Sequence, residues 1–235
     1  MTIPAQNPSD VIAEIFERVR GMDAPLNARL QILAEAIQVA SPEFGAAVEG
    51  LIERLARSGC GEAAPAVGEV LPPFLLPDVS GRLVGLDKVV ARGPAVISFF
   101  RGQWCPYCQL TGAAFAEMRD LIGDAHMVAI TPEKPGYNQE FMDATGIGFP
   151  VLTDIDCGYA LSLNLAFWVD DAFADLMRSV DRDLAIYQAG AAWLLPIPAT
   201  FVVDSKGVIV SRHIDPDYRR RMDVSDLLEA FNSAE

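Results

Sequence analysis

The chain has 235 residues, 51% of them apolar, a formal net charge of -14 and four cysteines. That is long and apolar enough for a buried core, while the acidic balance forfeits the phosphate attraction that dominates nucleic-acid affinity and so excludes nucleic acid as a partner. No apolar run approaches the roughly 18 residues of a membrane span and the first residues lack the order of a secretory signal, which predicts a cytoplasmic protein with no membrane partner; four cysteines are too few for a disulfide scaffold.

Residues 9–58 read as helices. Val11, Ile15 and Val19, then Leu30, Leu33, Ala34 and Ile37, then Val48, Leu51, Ile52 and Leu55 recur at steps of three and four, with Asn27 and Ser41-Pro42 as helix starts. The small, Gly- and Pro-rich stretch 58–68 breaks that period and reads as a linker, which places a helical N-terminal extension at 1–60 and a second unit at 61–235. Beyond it short strands alternate with helices, the pattern of an α/β fold whose mainly parallel sheet is covered on both faces.

In chain order, 74–86 reads as two extended pieces around Ser80-Gly81, and 95–100 as a buried central strand. A helix follows over 106–122 with Leu110, Ala114, Met118 and Leu121 inward. A strand is expected at 127–130, a short helix at 139–145 and a strand at 149–152. Residues 155–197 should hold two or three inserted helices, 201–210 a hairpin turned by Ser205-Lys206-Gly207, and 224–231 a closing helix.

Trp104-Cys105-Pro106-Tyr107-Cys108 lies where the central strand hands over to its helix. A helix N-terminus offers unpaired N–H groups and a partial positive charge, which favour the thiolate, the form of cysteine that attacks disulfides and peroxides. Cys105 is therefore the attacking thiol, and Cys108, one turn on, can reach back to close a disulfide. Pro106 suits the first turn, where a missing N–H costs little. A zinc site would need four ligands, but His126 and His213 are far apart and each stands alone, so neither metal nor cofactor is expected.

Around the pair, Arg101 is placed to lower the thiol pKa and hold a peroxide oxygen. Trp104 packs or lines the substrate approach, and Tyr107 faces solvent between the sulfurs. Cys60 in the linker and Cys157 after an acidic turn read as passive, and His126 and His213 as satisfied structural residues. Phe167, Trp168, Phe173 and Trp193 read as core with a pocket for an organic hydroperoxide as the alternative, and Asp170-Asp171 and Asp181 to Asp183 as helix caps and solvated faces.

Four segments in order carry a wider resemblance: Val67-Gly-Glu-Val-Leu-Pro-Pro-Phe-Leu-Leu-Pro-Asp-Val-Ser-Gly-Arg-Leu-Val-Gly-Leu86, Phe99-Phe-Arg-Gly-Gln-Trp-Cys-Pro-Tyr-Cys108, Phe149-Pro-Val-Leu-Thr-Asp-Ile-Asp156 and Pro198-Ala-Thr-Phe-Val-Val-Asp-Ser-Lys-Gly207. Over about two thirds of its length the chain resembles the peroxiredoxin-like branch of the alkyl hydroperoxide reductase and thiol-specific antioxidant (AhpC/TSA) superfamily. The resemblance implies a thioredoxin-like fold, a central mixed sheet flanked by helices, with Cys105 as the peroxide-attacking cysteine. It departs twice: the family's threonine before that cysteine falls in Gly102-Gln103, and its arginine before the later strand falls at Pro198. Ile197-Pro198-Ala199-Thr200 instead resembles the cis-proline loop that faces the cysteine pair in thioredoxins and glutaredoxins, which puts Pro198 at the substrate. Helical extensions also occur in this branch, so 1–60 resembles an accessory piece that supports a homodimer.

Three functions compete. The first is a thiol peroxidase using Cys105 and Cys108 on a peroxide and recycled by a thioredoxin or glutathione-type reductant. The second is a dithiol oxidoreductase acting on protein disulfides, favoured by Pro198 and the close spacing. The third is a redox-sensing module whose helical arm binds a partner.

Overall fold

The computed structural model describes residues 8–234. It opens with helices α1 (Pro8–Arg20), α2 (Leu26–Ala40) and α3 (Pro42–Arg57), whose buried faces hold Val19, Leu30, Leu33, Val48, Leu51 and Leu55 at the spacing expected of amphipathic helices. Pro42 sits in the first turn of α3. Asn27 does not start a helix as expected: α2 begins at Leu26 behind Pro25, and the Asn27 side chain reaches across the chain to Arg221 and Asp223. Segment 58–68 is tied to the sheet, Arg212 Nη1 donating to the carbonyls of Ala64 at 2.5 Å and Pro65 at 2.7 Å.

A ribbon of β1 (Leu75–Pro77) and β2 (Leu83–Gly85) turns where Asp78 accepts from Ser80 N, Ser80 Oγ and Arg82 N, and α4 (Leu86–Val90) leads to β3 (Ala95–Phe99). The expected helix over 106–122 is two, α5 (Pro106–Ala116) and α6 (Arg119–Ile122). The break at Glu117 and Met118 resets the phase, so Ile122 turns inward and Leu121, expected inside, is 66% exposed. Next come β4 (Met127–Thr131), α7 (Pro135–Thr145), β5 (Val151–Thr153) and α8 (Gly158–Ser162). Helix α7 starts earlier than its periodicity suggests because Pro135 fits the first turn, and it stops at Gly146 in the left-handed region.

Segment 155–197 carries α8, α9 (Asp171–Ser179) and α10 (Leu184–Tyr187), with Asp170 and Asp183 capping the last two through Phe173 N and Ala185 N. It also holds an antiparallel ribbon that periodicity did not reveal, β6 (Ala166–Trp168) with β7 (Leu194–Pro196). The hairpin of β8 (Ala199–Val203) and β9 (Ile209–Ile214) and the helix α11 (Val224–Ser233) complete the chain. The central sheet runs β5-β4-β3-β8-β9, parallel between β5, β4 and β3 and antiparallel through β8 and β9, so it is mixed where the alternation suggested mainly parallel.

Successive residues of β3 and β4 serve opposite faces: Val96, Met127 and Ala129 join one buried cluster, Ile97, Val128 and Ile130 the other. The first cluster continues without interruption through α5 into α1, α2 and α3. Truncating Leu30 to Ala inside it should cost about 2–4 kcal/mol, read as a lower urea midpoint with an unchanged slope. A single shared transition is expected from far-UV dichroism and Trp fluorescence, because the helices and the sheet share that core.

Candidate active site

Strand β3 delivers Phe100 and Arg101, both buried, to a turn at Gly102, whose φ of +137° is open to glycine and little else. Cys105 follows in an extended conformation at the N-cap position of α5, with Pro106 in the first turn and Gln109 N donating the first helical bond to the Cys105 carbonyl. The strand-to-helix placement of the two thiols is as the sequence indicates. Cys105 is 1% and Cys108 0% exposed, and both are free thiols.

Two guanidinium groups lie against the pair. Arg101, 3% exposed, donates its main-chain N–H to Cys108 Sγ at 3.3 Å, and its guanidinium stacks 3.8 Å from the Tyr218 ring and 4.8 Å from that of Trp104. Arg221, 4% exposed, places Nη2 3.9 Å from Cys108 Sγ and donates Nη1 to the carbonyls of Tyr218 and Arg220. Arg101 Nε and Nη1 and Arg221 Nε have no hydrogen-bond partner, so positive charge is buried beside sulfur with little else to balance it.

The thiols respond in opposite directions. Burial pushes Cys105 up, but the Cys108 thiol, the charges of Arg101 and Arg221 and the Cys108 main-chain N–H outweigh it and bring the pKa to about 6. Burial and the neighbouring Cys105 hold Cys108 well above the ordinary thiol range. At neutral pH the arrangement is one thiolate with one thiol beside it.

Trp104 is buried with its Nε1 unpartnered. Tyr107, expected at the solvent between the sulfurs, is 5% exposed: its ring stands edge-on to Tyr218 at 5.4 Å, and burial drives its hydroxyl pKa upward. Pro198 lies beside Ala199, the partner of Phe99, and so at the end of β3 where the cysteine loop begins. Its peptide bond is trans, as are all others among the described residues, which corrects the cis-proline expectation. Ile197 N donates to Leu165 O at 2.6 Å and keeps the chain extended from β7 into β8 without a sharp turn.

The remaining candidates lie apart from the pair. Cys157 is buried with Sγ donating to Leu194 O at 3.5 Å, and burial raises its pKa and that of half-buried Cys60. His126 Nδ1 meets Pro94 O at 2.8 Å, and His213 keeps an unpartnered, buried Nε2. Phe167 and Phe173 belong to the core, Trp168 is 61% exposed and Trp193 packs under the Arg178 guanidinium, so the four do not form one pocket.

Three residues of the site were missed from the sequence: Tyr218, Arg221 and Glu133. The run Arg219-Arg220-Arg221 in an acidic chain is a signal for the first two, but nothing local ties it to residues more than a hundred positions earlier. Glu133 is fully buried at the end of β4, its N–H donating to Thr131 Oγ1 at 3.1 Å and its carbonyl accepting from Thr153 Oγ1 at 2.9 Å. Its carboxylate accepts from Gln103 N at 2.7 Å through Oε2, while Oε1 has no partner. A Cβ on Gly102 would come within 2.5 Å of that carboxylate, a second reason for glycine there. Burial raises the Glu133 pKa to about 8 against the pull of the Gln103 N–H, with the Cys108 charge adding to the rise.

The family model described as AhpC/TSA family matches residues 67–212, which include Arg101, Trp104, Cys105, Cys108, Glu133 and Pro198 but neither Tyr218 nor Arg221. A Mycobacterium tuberculosis protein named as a peroxiredoxin is 34% identical over 148 residues, 61% of this chain and 81% of its own. Thiol-disulfide oxidoreductase ResA of Geobacillus thermodenitrificans is 26% identical over 151 residues, 63% of this chain and 69% of its own. Among solved structures, the peroxidoxin BcpB of Mycobacterium tuberculosis superposes with a TM-score of 0.55 at 16% identity, over 72% of this chain and 97% of its own, a likeness of fold.

Glu133 makes stability depend on pH in a defined direction. Its folded-state pKa lies above that of the unfolded chain, so from about pH 5 to about pH 8 the unfolded state has released a proton that the folded state still holds, and stability falls as pH rises. Glu133→Gln keeps an acceptor for Gln103 and removes the ionisation. Urea unfolding across that window should show the variant gaining on the parent by at least ~1 kcal/mol toward alkaline pH; parallel curves would refute the assignment.

Proposed function

The chain belongs to the AhpC/TSA family, and from that premise we propose that it is a peroxiredoxin-type thiol peroxidase that reduces hydrogen peroxide or organic hydroperoxides at Cys105, with Cys108 resolving. The observation that carries the reading is a buried thiol pair at the start of α5 with two buried arginines beside it, Arg101 bonding Cys108 Sγ through its main-chain N–H and Arg221 Nη2 3.9 Å from the same sulfur, charges that hold the Cys105 pKa down to about 6. The Cys105 thiolate attacks the terminal peroxide oxygen. The O–O bond breaks, the peroxide's own proton leaves with the departing water or alcohol, and a sulfenate remains on Cys105. The positive charges of Arg101 and Arg221 favour the negative charge as it moves from sulfur to oxygen.

Cys108, kept protonated by burial until this point, gives its proton to the sulfenate and attacks Cys105 sulfur as a thiolate. The disulfide forms and hydroxide leaves, becoming water on taking up a proton. An external thioredoxin or glutathione-type thiol then returns two electrons and two protons. Trp104 and Pro198 line the approach, residues 61–235 form the thioredoxin-like unit, and residues 1–60 are its accessory arm and a homodimer contact. No helix among the described residues is long and apolar enough to cross a membrane, and the reading sets the enzyme in the cytoplasm, where thiol reductants are supplied.

The likeness to ResA supports a second reading, dithiol–disulfide exchange with proteins. Burial of both thiols speaks against it, since a protein disulfide must reach the attacking sulfur directly. Anaerobic stopped-flow Trp fluorescence separates the two: fast oxidation of the reduced protein by equimolar peroxide with sluggish reduction of insulin is expected, and the converse would favour exchange. Cys105→Ser should abolish both rates, and full activity in that variant would refute the assignment.

Arg221→Met should raise the Cys105 pKa from about 6 toward the free-thiol value near 8.5, so the pH profile of peroxide oxidation moves to higher pH and the rate at neutral pH falls several-fold. An unmoved profile would remove Arg221 from the site.

A further inference from the structure

The thiols are sealed by a segment outside the family match. Between β9 and α11, residues 215–223 lay Tyr218 across the Arg101 guanidinium and the Tyr107 ring and bring Arg221 to Cys108. Tyr218, Arg221 and Met222 of this segment are all buried. No helix or strand shapes it; besides its own turn bonds, Asp217 N to Asp215 Oδ1 and Arg220 N to Asp217 O, it is tied by hydrogen bonds to the N-terminal helices.

Asn27 in the first turn of α2 is the principal tie. Its side chain donates Nδ2 to Arg221 O at 2.7 Å and to Asp223 Oδ2 at 2.8 Å, and its Oδ1 accepts from Arg221 N at 3.0 Å. Its main-chain N–H donates to Asp223 Oδ1 at 3.1 Å, so Asp223 caps α2 in place of its own helix. A second tie runs from α3, where Glu49 Oε1 accepts from Arg219 Nη1 at 2.6 Å while Asp217 holds the same guanidinium through Nε at 2.8 Å. Beside these ties a cleft of about 800 Å³ opens between the helices and the segment, lined by Asn27, Gln31, Gln38, Glu49, His213 and Arg221, among others. The segment has both fastenings and room to move.

We propose that residues 215–223 form a cap over Cys105 and Cys108, latched by Asn27 and Glu49, and that the closed cap restricts the thiolate to small peroxides and bars protein disulfides. The inference rests on Cys105 as the attacking thiol. On this reading a peroxide is small enough to reach the sulfur past a rotated side chain with the cap backbone in place, Trp104 and Tyr218 on either side of the Arg101 guanidinium being the nearest aromatic rings. A protein disulfide needs the backbone of the cap displaced, which breaks the Asn27 bonds and carries Arg221 away from the sulfur it helps ionise.

The same latch accounts for recycling. When the pair oxidises to a disulfide, with two electrons passed to the peroxide, the thiolate disappears and Arg101 and Arg221 remain buried without a counter-charge. Uncompensated buried charge is strongly unfavourable, so oxidation weakens the closed cap and opens the disulfide to a thiol reductant.

Alkylation of reduced protein by iodoacetamide and by a maleimide carried on a long polyethylene glycol tests the cap without relying on peroxidase activity, with peptide mass spectrometry reporting modification at Cys105. The parent should react with the small reagent and strongly exclude the large one. Asn27→Ala should shrink the ratio of the two rates by about tenfold, as expected for losing several hydrogen bonds of modest net strength, and should raise insulin reduction in parallel. Glu49→Gln, which leaves the start of α2 intact, should shift the ratio in the same direction by less and decides the matter if Asn27→Ala fails to fold. Trypsin should cut at Arg219 and Arg220 faster in the oxidised protein than in the reduced one. An unchanged alkylation ratio in the folded variants overturns the cap, and equal trypsin rates overturn its release by oxidation. Slow peroxide oxidation alongside the expected alkylation pattern would instead count against the peroxidase reading and leave the cap standing.

Discussion

The site depends on one electrostatic compromise: two guanidinium groups buried where water cannot neutralise them, against sulfur that can. Isolated charge in a protein interior is expensive, and Arg101 and Arg221 together leave three nitrogens without partners. Ionising Cys105 offsets that cost, so the cations and the thiolate stabilise each other. The family's usual pair, a threonine before the cysteine and an arginine before the later strand, is absent at the matching positions Gly102-Gln103 and Pro198. Arg101 on the β3 side and Arg221 from the distal segment bring positive charge to the sulfurs from other places in the chain.

Holding that compromise in place takes the whole first core cluster. Arg101 is fixed because β3 is buried along its length, and Gly102 can turn because the Glu133 carboxylate fills the space where a side chain would stand. Glu133 is fixed in turn by Thr131 and Thr153 on neighbouring parallel strands, so the register of β4 against β5 reaches the cysteine loop through hydrogen bonds that pair side-chain with main-chain groups. On the other side, α2 and α3 cover the cluster that contains Cys105 and Cys108 and also fasten the segment that carries Arg221. The N-terminal helices therefore act on the chemistry through packing and through the latch together.

Local rules reached the site's frame and stopped at its long-range partners. The helix starts at Pro42 and Pro106, the central strand and the 199–214 hairpin each follow from residues within one element, as does the thiol pair at a helix N-terminus. Leu121 departs from the expected stripe because the helix is broken at Glu117 and Met118, which turns it far enough to expose that side chain. Tyr107 failed because its exposure depends on Tyr218, which no spacing rule connects to it. The β6/β7 ribbon failed because three-residue strands are too short to show alternation, and its two halves pair across α9 and α10. Asn27 reads as a helix start from residue type alone, and its side chain does bond main-chain groups, but those groups belong to the far end of the chain.

The overall charge sets the buried cations against their surroundings. A chain with 32 acidic and 18 basic residues surrounds its thiols with a negative field, which on its own disfavours a thiolate and repels anionic partners. Surface cations would be screened by salt and would act weakly at the sulfur, whereas Arg101 and Arg221 act at short range in a medium that screens little. A neutral peroxide is indifferent to the outer field and meets only the inner one. While the pair is reduced, the acidic exterior and the basic interior therefore act in the same direction, in favour of a small uncharged reactant at the thiolate.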